Sequence, residues 1–516
     1  MLDRESTRQL DLIGRLVGQN PFTTERQQLE QQLLGKAYLD QGQVWHAREP
    51  RADNPNIAAL ARLTAELTEA LRQSLLRQER TSELERWLAR YRDAVLYLLY
   101  SRYEEPLLEQ INAVLAGQDP PLDCFRQFVA DGTHYYSLPQ LPAPDERDWA
   151  HLFACFYQIR RAFEFIHRGL LGASRPMATL RASIWESIFS RDMRRYRRVL
   201  YQRMQLIPTL IIGASGTGKD LVAQAIGYSG YIPFDTARRR FVGSFVEGWL
   251  PVNLAALPAT LIESELFGHR RGAFTGAVEA HCGYLEACPA HGAVFLDEIG
   301  ELEPATQVKL LRALQNRAFA RVGETEARPF VGRIVAATHR DLAERIVQGT
   351  FRADLFYRLR ADQIETPTLA AQLAERPEDV ALLVTHLLTR LLGDDRDQTL
   401  VEESLSTVRA LGTDYRWPGN VRELEQCVRS VMLRGSYRPP NFAHGGADRL
   451  SAALQDCELS ADELLARYVT LTYAKQGSFS AAGKALGLDR RTVAAKLDAA
   501  LLERLGLGTV EPSRAN

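Results

Sequence analysis

The sequence predicts a central α/β domain with a mainly parallel sheet, preceded by a mostly α-helical domain and followed by smaller helical units. Three observations lead to this fold class. Apolar residues recur at three- and four-residue spacing up to about residue 175, short β-rich runs alternate with helical stretches between residues 207 and 367, and the pattern is helical again afterwards. With 516 residues, the chain has room for about three domains.

The composition is that of an ordinary globular protein, with 25% charged and 46% hydrophobic residues. A net charge of −1 gives no overall positive field, so any surface that binds nucleic acid must be local. The first residues lack a signal-peptide pattern, no apolar stretch approaches membrane-spanning length, and the six cysteines are scattered as in proteins with reduced thiols. We therefore expect a cytoplasmic protein without a membrane-spanning segment.

The N-terminal part, residues 1–175, is predicted to be helical. Its strongest helical patterns cover residues 56–75, 82–115 and 149–171, and proline-rich segments separate them. The third pattern carries an aromatic stripe, which is typical of a packed core. No chemistry-bearing motif and no receiver-like acidic pocket is recognisable in this part, so we interpret it as a regulatory domain of unknown ligand.

A glycine-rich motif follows the apolar strand that ends at Ile212 and opens the next helix. Its residues are Gly213, Ala214, Ser215, Gly216, Thr217, Gly218 and Lys219. Such a turn directs backbone N–H groups and the positive helix end at a phosphate, and the lysine reaches the β- and γ-phosphates. Asp220 stands where the general pattern has Ser or Thr. The alternative interpretation is a tight strand–helix connection with no ligand.

Two adjacent carboxylates end the apolar strand over residues 293–297. Asp297 suits Mg²⁺ coordination, and Glu298 suits activation of the attacking water. A lone acidic pair could equally cap the next helix. In combination with the glycine-rich motif, the pair predicts ATP binding and hydrolysis.

A third motif identifies a family. Its six residues, Gly272, Ala273, Phe274, Thr275, Gly276 and Ala277, spell GAFTGA. The run resembles the surface loop with which sigma-54-dependent transcription activators, the bacterial enhancer-binding AAA+ ATPases, contact sigma-54. The resemblance covers about residues 205–435. It implies an AAA+ α/β domain over residues 176–370 and a helical lid over residues 371–436.

The resemblance also implies individual roles. Asn253 would contact Glu298 and sense the nucleotide, and Thr338 would lie near the γ-phosphate. Arg352 and Arg358 would be arginine fingers that complete a neighbour's site, which requires a homo-oligomeric ring, expected to be a hexamer. Arg422 would contact the nucleotide from the lid. The family usually has an acidic residue at the position of Asp220, so Mg²⁺ would depend on Asp297 and water.

Three segments depart from the family pattern. Residues 229–250 form a longer connection that contains three consecutive arginines, residues 368–377 are longer and more apolar than the usual hinge, and residues 181–203 are unusually basic. A zinc site is a separate possibility, raised by His281, Cys282, Cys288 and His291. We reject it, because in the family this region has only a structural role.

For the C-terminal part, the sequence predicts a linker over residues 437–458 and a compact helical unit over residues 459–516. Predicted helices at residues 464–474, 480–486 and 490–501 resemble the helix-turn-helix of the factor-for-inversion-stimulation type, with Asp489 capping the third. The candidate DNA contacts are Arg490, Arg491, Thr492, Ala495 and Lys496. A helical dimerisation tail remains the alternative.

Together these features predict an ATP- and Mg²⁺-dependent transcription activator. It would bind upstream double-stranded DNA and remodel the sigma-54 RNA polymerase holoenzyme to the open complex. The alternative is an AAA+ remodeller of another protein, with a helical tail that does not bind DNA.

Overall fold

A computed structural model describes residues 2–39, 55–77, 83–393, 397–413, 415–439, 460–498 and 501–502. The chain divides into two units, residues 1–437 and residues 438–516. Most of the predicted linker at residues 437–458 lies outside the described residues. So do residue 459, residues 499–500 and residues 503–516 of the predicted C-terminal domain.

The N-terminal part is helical, as the spacing of its apolar residues predicts. Its helices are α1 (Arg4–Gly18), α2 (Thr24–Leu34), α3 (Pro55–Leu76), α4 (Leu84–Leu115), α5 (Cys124–Tyr136) and α6 (Glu146–Gly169). The aromatic stripe of α6 is buried in their common core, as expected, with Phe153 and Tyr157 almost fully enclosed. Among the described residues, no helix has both the length and the apolar character needed to cross a bilayer.

A five-stranded parallel sheet forms the centre of the next part. Its strands are β1 (Thr209–Ile212), β4 (Trp249–Asn253), β5 (Ala293–Asp297), β8 (Arg333–Thr338) and β9 (Asp362–Glu365). Their order is β4-β5-β8-β1-β9, so β1 lies inside the sheet with β8 and β9 on either side. Because all strands run in one direction, the motifs that follow β1, β5 and β8 meet at one edge of the sheet.

Helices and two short hairpins surround this sheet. The helices are α7 (Arg175–Phe189), α8 (Met193–Arg198), α9 (Lys219–Gly227), α10 (Ala259–Phe267), α11 (Tyr284–Ala287), α12 (Pro304–Asn316), α13 (Leu342–Val347) and α14 (Ala353–Leu359). The hairpins pair β2 (Phe234–Asp235) with β3 (Arg240–Phe241), and β6 (Ala318–Phe319) with β7 (Arg328–Pro329).

The long connection at residues 229–250 forms the β2–β3 hairpin, which attaches the N-terminal helices to the sheet. The ring of Phe241 stacks on Tyr157 of α6 at 3.8 Å between centroids, and the ring of Phe234 lies 4.6 Å from Phe125 of α5. Arg239 forms an ion pair with Asp123 just before α5. The additional residues and their arginines therefore make the contact surface for the N-terminal helices.

The lid consists of α15 (Leu369–Glu375), α16 (Asp379–Leu392), α17 (Gln398–Ala410) and α18 (Asn420–Arg434), packed around one apolar core. The carboxylate of Asp379 accepts hydrogen bonds from the backbone N–H groups of Ala173 (2.7 Å) and Ser174 (3.2 Å). Glu375 accepts one from the N–H of Arg175 (2.8 Å). The start of α7 is thus bonded directly to the lid.

The C-terminal unit contains α19 (Ala461–Gln476), α20 (Phe479–Leu486) and α21 (Arg490–Ala495), whose core includes Val469, Ala482 and Val493. The third helix is shorter than the predicted span to residue 501. It ends at Ala495, and beyond it the N–H of Asp498 donates to Thr470 Oγ1 of α19 at 2.8 Å.

Candidate functional site

The glycine-rich motif forms a loop between the end of β1 and the start of α9, as predicted. Gly216 has a left-handed φ of 76°, and a Cβ there would lie 2.3 Å from the carbonyl oxygen of Gly419 in the lid. Only glycine allows that approach. The loop connects directly to the N-terminus of α9, which is the end of a helix that binds phosphate.

Lys219 begins α9 and is buried beneath this loop. Its Nζ donates hydrogen bonds to the carbonyl oxygens of Gly213 and Ala214, both at 3.0 Å. Burial lowers the pKa of Lys219, while the negative charges of Glu298 and Asp297 act in the opposite direction. The ammonium group thus lies between the loop and the acidic pair, where a phosphate would meet it.

Asp297 ends β5, and its surroundings suit a cation. Burial raises the pKa of Asp297, and the nearby negative charges of Glu298 and Asp220 raise it further. A divalent cation would relieve this repulsion. Mg²⁺ is commonly held by one or two carboxylates together with phosphate oxygens and water. The oxygens of Asp297, with Asp220 nearby, therefore fit the Mg²⁺ that the sequence predicts.

Glu298 has a left-handed backbone, with φ 57° and ψ 51°. Its carboxylate lies 2.7 Å from Nδ1 of His339 and accepts a hydrogen bond from the His339 backbone N–H at 3.4 Å. In this structure, the carboxylate of Glu298 is therefore paired with His339, and its nucleotide-dependent contact with Asn253 stays a prediction. Asn253 ends β4 opposite Asp297, but its Oδ1 accepts the N–H of Ala255 at 3.0 Å and so caps the following turn.

Thr338 ends β8 and is fully buried beside the start of the phosphate loop, because it pairs in register with Ile212. Its Oγ1 accepts the N–H of Arg340 at 3.1 Å. Sequence reasoning singled out Thr338 but missed the adjacent His339. The available signal was its position directly after a strand that ends at the acidic edge of the sheet.

The N-terminus of α18 contacts the phosphate loop from the lid. Arg422 Nη1 donates to Ser215 Oγ at 3.0 Å, and Asn420 Nδ2 donates to the Ser215 carbonyl at 2.9 Å. The structure therefore brings Arg422 to the loop, as the resemblance implied. Sequence reasoning missed Asn420. Its φ of 52° is left-handed, a conformation that Asn tolerates better than most residues. The preceding Pro-Gly was the available signal for a turn at this position.

The two predicted arginine fingers lie on the surface at α14. The guanidinium of Arg352 pairs with Asp354 at 2.7 Å, and Arg358 Nη2 donates to the Leu314 carbonyl at 3.0 Å. Among the described residues, neither arginine contacts the phosphate loop of its own chain. Both are exposed, so a neighbouring subunit could reach them.

The GAFTGA motif forms an exposed loop whose base is a two-way backbone bridge between His269 and His281. Gly272 and Gly276 both have left-handed φ angles, 77° and 103°. Thr275 is exposed, and the ring of Phe274 is 40% exposed although it packs edge-on against His269 at 4.9 Å. An apolar ring on such a tip favours contact with a partner.

The C-terminal unit presents Arg490, Arg491 and Ala495 on the exposed side of α21, opposite buried Val493. Asp489 caps the helix as predicted, since its carboxylate accepts the N–H groups of Arg491 and Thr492. Two other candidates have partners within the unit. Thr492 Oγ1 donates to Asp489 at 2.5 Å, and Lys496, just beyond the helix, pairs with Asp462 of α19 at 2.7 Å.

The four residues considered for zinc have separate surroundings. His281 takes part in the bridge at the base of the GAFTGA loop, and His291 Nε2 lies 3.3 Å from the carbonyl oxygen of Ser244. Cys282 is exposed, whereas Cys288 is buried in the core beneath the sheet. Within the part of the chain that the structure describes, no group of three or more His, Cys, Asp or Glu side chains is arranged to hold a metal.

Comparison with known proteins gives two family matches, both within residues 187–438. Residues 187–365 match the sigma-54 interaction domain, and residues 374–438 match the AAA+ ATPase lid domain.

Three relatives illustrate the similarity. The Nif-specific regulatory protein of Azotobacter vinelandii is 39% identical over 297 residues, 56% of this chain and 53% of the relative. The Nif-specific regulatory protein of Herbaspirillum seropedicae is 45% identical over 229 residues, 44% of this chain and 39% of the relative. The transcriptional regulatory protein ZraR of Escherichia coli (strain K12) is 39% identical over 294 residues, 56% of this chain and 62% of the relative. The chain thus spans 39% to 62% of the length of these relatives.

Proposed function

Since residues 187–365 match the sigma-54 interaction domain and residues 374–438 match the AAA+ ATPase lid domain, we propose that the chain is a sigma-54-dependent activator that hydrolyses ATP to remodel the sigma-54 RNA polymerase holoenzyme. The single observation that carries this proposal is the exposed GAFTGA tip on the same α/β domain as the phosphate loop. A loop that transmits ATP energy must bind its target differently in different nucleotide states, because equal affinity shifts no equilibrium.

ATP binding is supported by the geometry of the phosphate loop. Lys219 and the N-terminus of α9 provide positive charge for the phosphates, and Arg422 adds a guanidinium from the lid. Mg²⁺, held through Asp297, supplies neutralisation of the phosphate charge. Glu298 would orient and deprotonate the attacking water once its carboxylate is free of His339. Thr338, buried next to the loop, would sense the γ-phosphate.

Assembly into a homo-oligomeric ring is supported by the arginines of α14. Arg352 and Arg358 lie on the surface, away from the phosphate loop of their own chain. An arginine finger stabilises the charge of the transition state only when it reaches the nucleotide. In a head-to-tail arrangement, the arginine fingers of one subunit would reach the nucleotide of its neighbour. In a closed ring of six such subunits, the fingers of every subunit would contact a neighbour's nucleotide.

Binding of upstream DNA is supported by the C-terminal helices. Arg490 and Arg491 lie on the exposed side of α21 at its N-terminus, the end of a recognition helix that contacts base edges. The side chain of Lys496 is held by Asp462. It would add a phosphate contact only after leaving that ion pair, so we assign the main role to the two arginines.

The proposal is tested by transcription in vitro from a promoter read by sigma-54 holoenzyme, with the chain and a hydrolysable or non-hydrolysable nucleotide. We expect open complexes only with hydrolysable ATP and Mg²⁺, and none on a matched promoter read by another holoenzyme. A high rate of ATP hydrolysis without formation of open complexes would favour the alternative that the chain remodels a different protein.

A further inference from the structure

A cavity of about 130 Å³ lies between the N-terminal helices and the first helices of the ATPase part. Residues of α1, α2, α4 and α6 line one side, and residues of α7 and α8 line the other. The walls are mostly apolar and aromatic, with Val17, Phe156, Ile159 and Trp185 among them. The cavity belongs to none of the motifs described above.

The size of the apolar space indicates which group would fill it. A cavity of about 150 Å³ lined by apolar side chains accepts one benzene ring. The present cavity, at about 130 Å³, therefore fits a single six-membered ring or a branched chain of similar volume. Aromatic walls such as Phe156 and Trp185 favour a flat or compact apolar group.

Charge at the cavity is positive. Three arginines line it, and no acidic residue is among the described residues of its wall. Arg26 is paired with Glu30 at 2.6 Å. Arg194 is paired with Asp93, and Arg197 lies near the same carboxylate. One carboxylate cannot neutralise two guanidinium groups, so Arg197 leaves a positive charge for a ligand.

We propose that this cavity binds a small organic carboxylate, whose ring or branched chain fills the apolar space and whose carboxylate pairs with Arg197. The ligand would contact the N-terminal helices and α7–α8 at the same time. Since α7 packs against α9 and β9, the ligand would stabilise the packing of the N-terminal helices beside the phosphate loop. The basic character of residues 191–198 would thus serve ligand binding.

The test is calorimetric titration of the full chain with benzoate, 3-methylbutanoate and cyclohexanecarboxylate, and with benzamide as a neutral compound of the same shape as benzoate. We expect saturable 1:1 binding of at least one carboxylate with a Kd of about 1 mM or lower. Loss of a hydrogen bond to a charged group should make benzamide bind about tenfold more weakly or worse.

Two arginine variants distinguish binding inside the cavity from a general effect of positive charge on the surface. Arg197→Gln should weaken binding of the carboxylate about tenfold or more and leave benzamide unaffected. Arg198→Gln, the exposed neighbour that does not line the cavity, should bind like the wild type. Val17→Phe, which fills the cavity, should abolish binding while circular dichroism reports an unchanged helix content.

Absence of saturable binding for all three carboxylates would overturn the proposal. So would equal effects of Arg197→Gln and Arg198→Gln, because the charge would then act from a distance and not in the cavity. Neither result depends on ATP hydrolysis or on sigma-54, so failure here leaves the proposed function standing.

Discussion

Asp379 joins the lid to the segment before α7, and its removal should loosen that joint by a measurable free energy. The carboxylate is 2% exposed and accepts two backbone N–H groups, from Ala173 at 2.7 Å and Ser174 at 3.2 Å. Burial lowers the pKa of Arg181 to about 10, and the negative charge of Asp379 acts in the opposite direction. Asp379→Ala would remove the acceptor of both hydrogen bonds.

Removing the acceptor of a buried hydrogen bond costs about 1–3 kcal/mol. The longer bond to Ser174 places the sum in the lower half of the range, at about 2–4 kcal/mol of local opening free energy. That corresponds to a loss of amide protection of about 30- to 1,000-fold. Asp379→Asn retains an oxygen acceptor, so we expect a smaller loss.

Hydrogen exchange followed by mass spectrometry on a peptide covering residues 170–178 measures this loss in the full chain. Glu402→Ala, an exposed acidic residue of α17, is the matched control and should leave exchange unchanged. Exchange in Asp379→Ala within about twofold of the wild type would refute the reasoning, because the joint would then not depend on this carboxylate.

Three further predictions concern catalysis and DNA binding. Lys219→Ala should abolish tight ATP binding, whereas Glu298→Ala should bind ATP and stop hydrolysing it, as measured by nucleotide binding and phosphate release; wild-type hydrolysis in Glu298→Ala would contradict its role. Arg352→Ala or Arg358→Ala should bind ATP and lose turnover by on the order of 10³-fold, and mixing either with Lys219→Ala protein should restore part of it; absence of rescue argues against fingers acting between subunits. Arg491→Ala should weaken binding to upstream DNA by about 1–3 kcal/mol in a gel-shift titration; unchanged affinity would exclude it as a contact.

The sheet and the phosphate site could be predicted because each depends on local sequence. The strand ending at Ile212, the glycine-rich turn and the helix beginning at Lys219 are contiguous, so their order alone fixes the geometry. The strand that ends at Asp297 is likewise defined by one contiguous apolar run. Parallel strands then bring these separate motifs to one edge.

Contacts between distant segments could not be predicted. The β2–β3 hairpin packs on α5 and α6, and its ion pair between Arg239 and Asp123 spans 116 residues of sequence. Asp379 meets Ala173 over an even longer separation. Nothing in the pattern near either residue specifies its partner.

Some local details were also beyond sequence reasoning. The carboxylate of Glu298 pairs with His339, and the Oδ1 of Asn253 accepts a backbone N–H of its own turn. Helix α21 ends at Ala495, and the N–H of Asp498 beyond it bonds to Thr470 of another helix. Apolar periodicity does not specify hydrogen bonds of this kind.

The central claim is that the GAFTGA tip transmits ATP energy to sigma-54, and Thr275→Ala tests it most directly. Thr275 is exposed between two glycines, far in sequence from the phosphate loop, and Thr413→Ala, an exposed threonine of the lid, is the matched control. The measurement is capture of sigma-54 by the chain in the presence of a transition-state analogue of ATP. We expect the wild type and Thr413→Ala to be trapped on sigma-54, and Thr275→Ala to hydrolyse ATP normally yet remain untrapped. Trapping of Thr275→Ala at the wild-type level, or of none of the three proteins, would contradict the account.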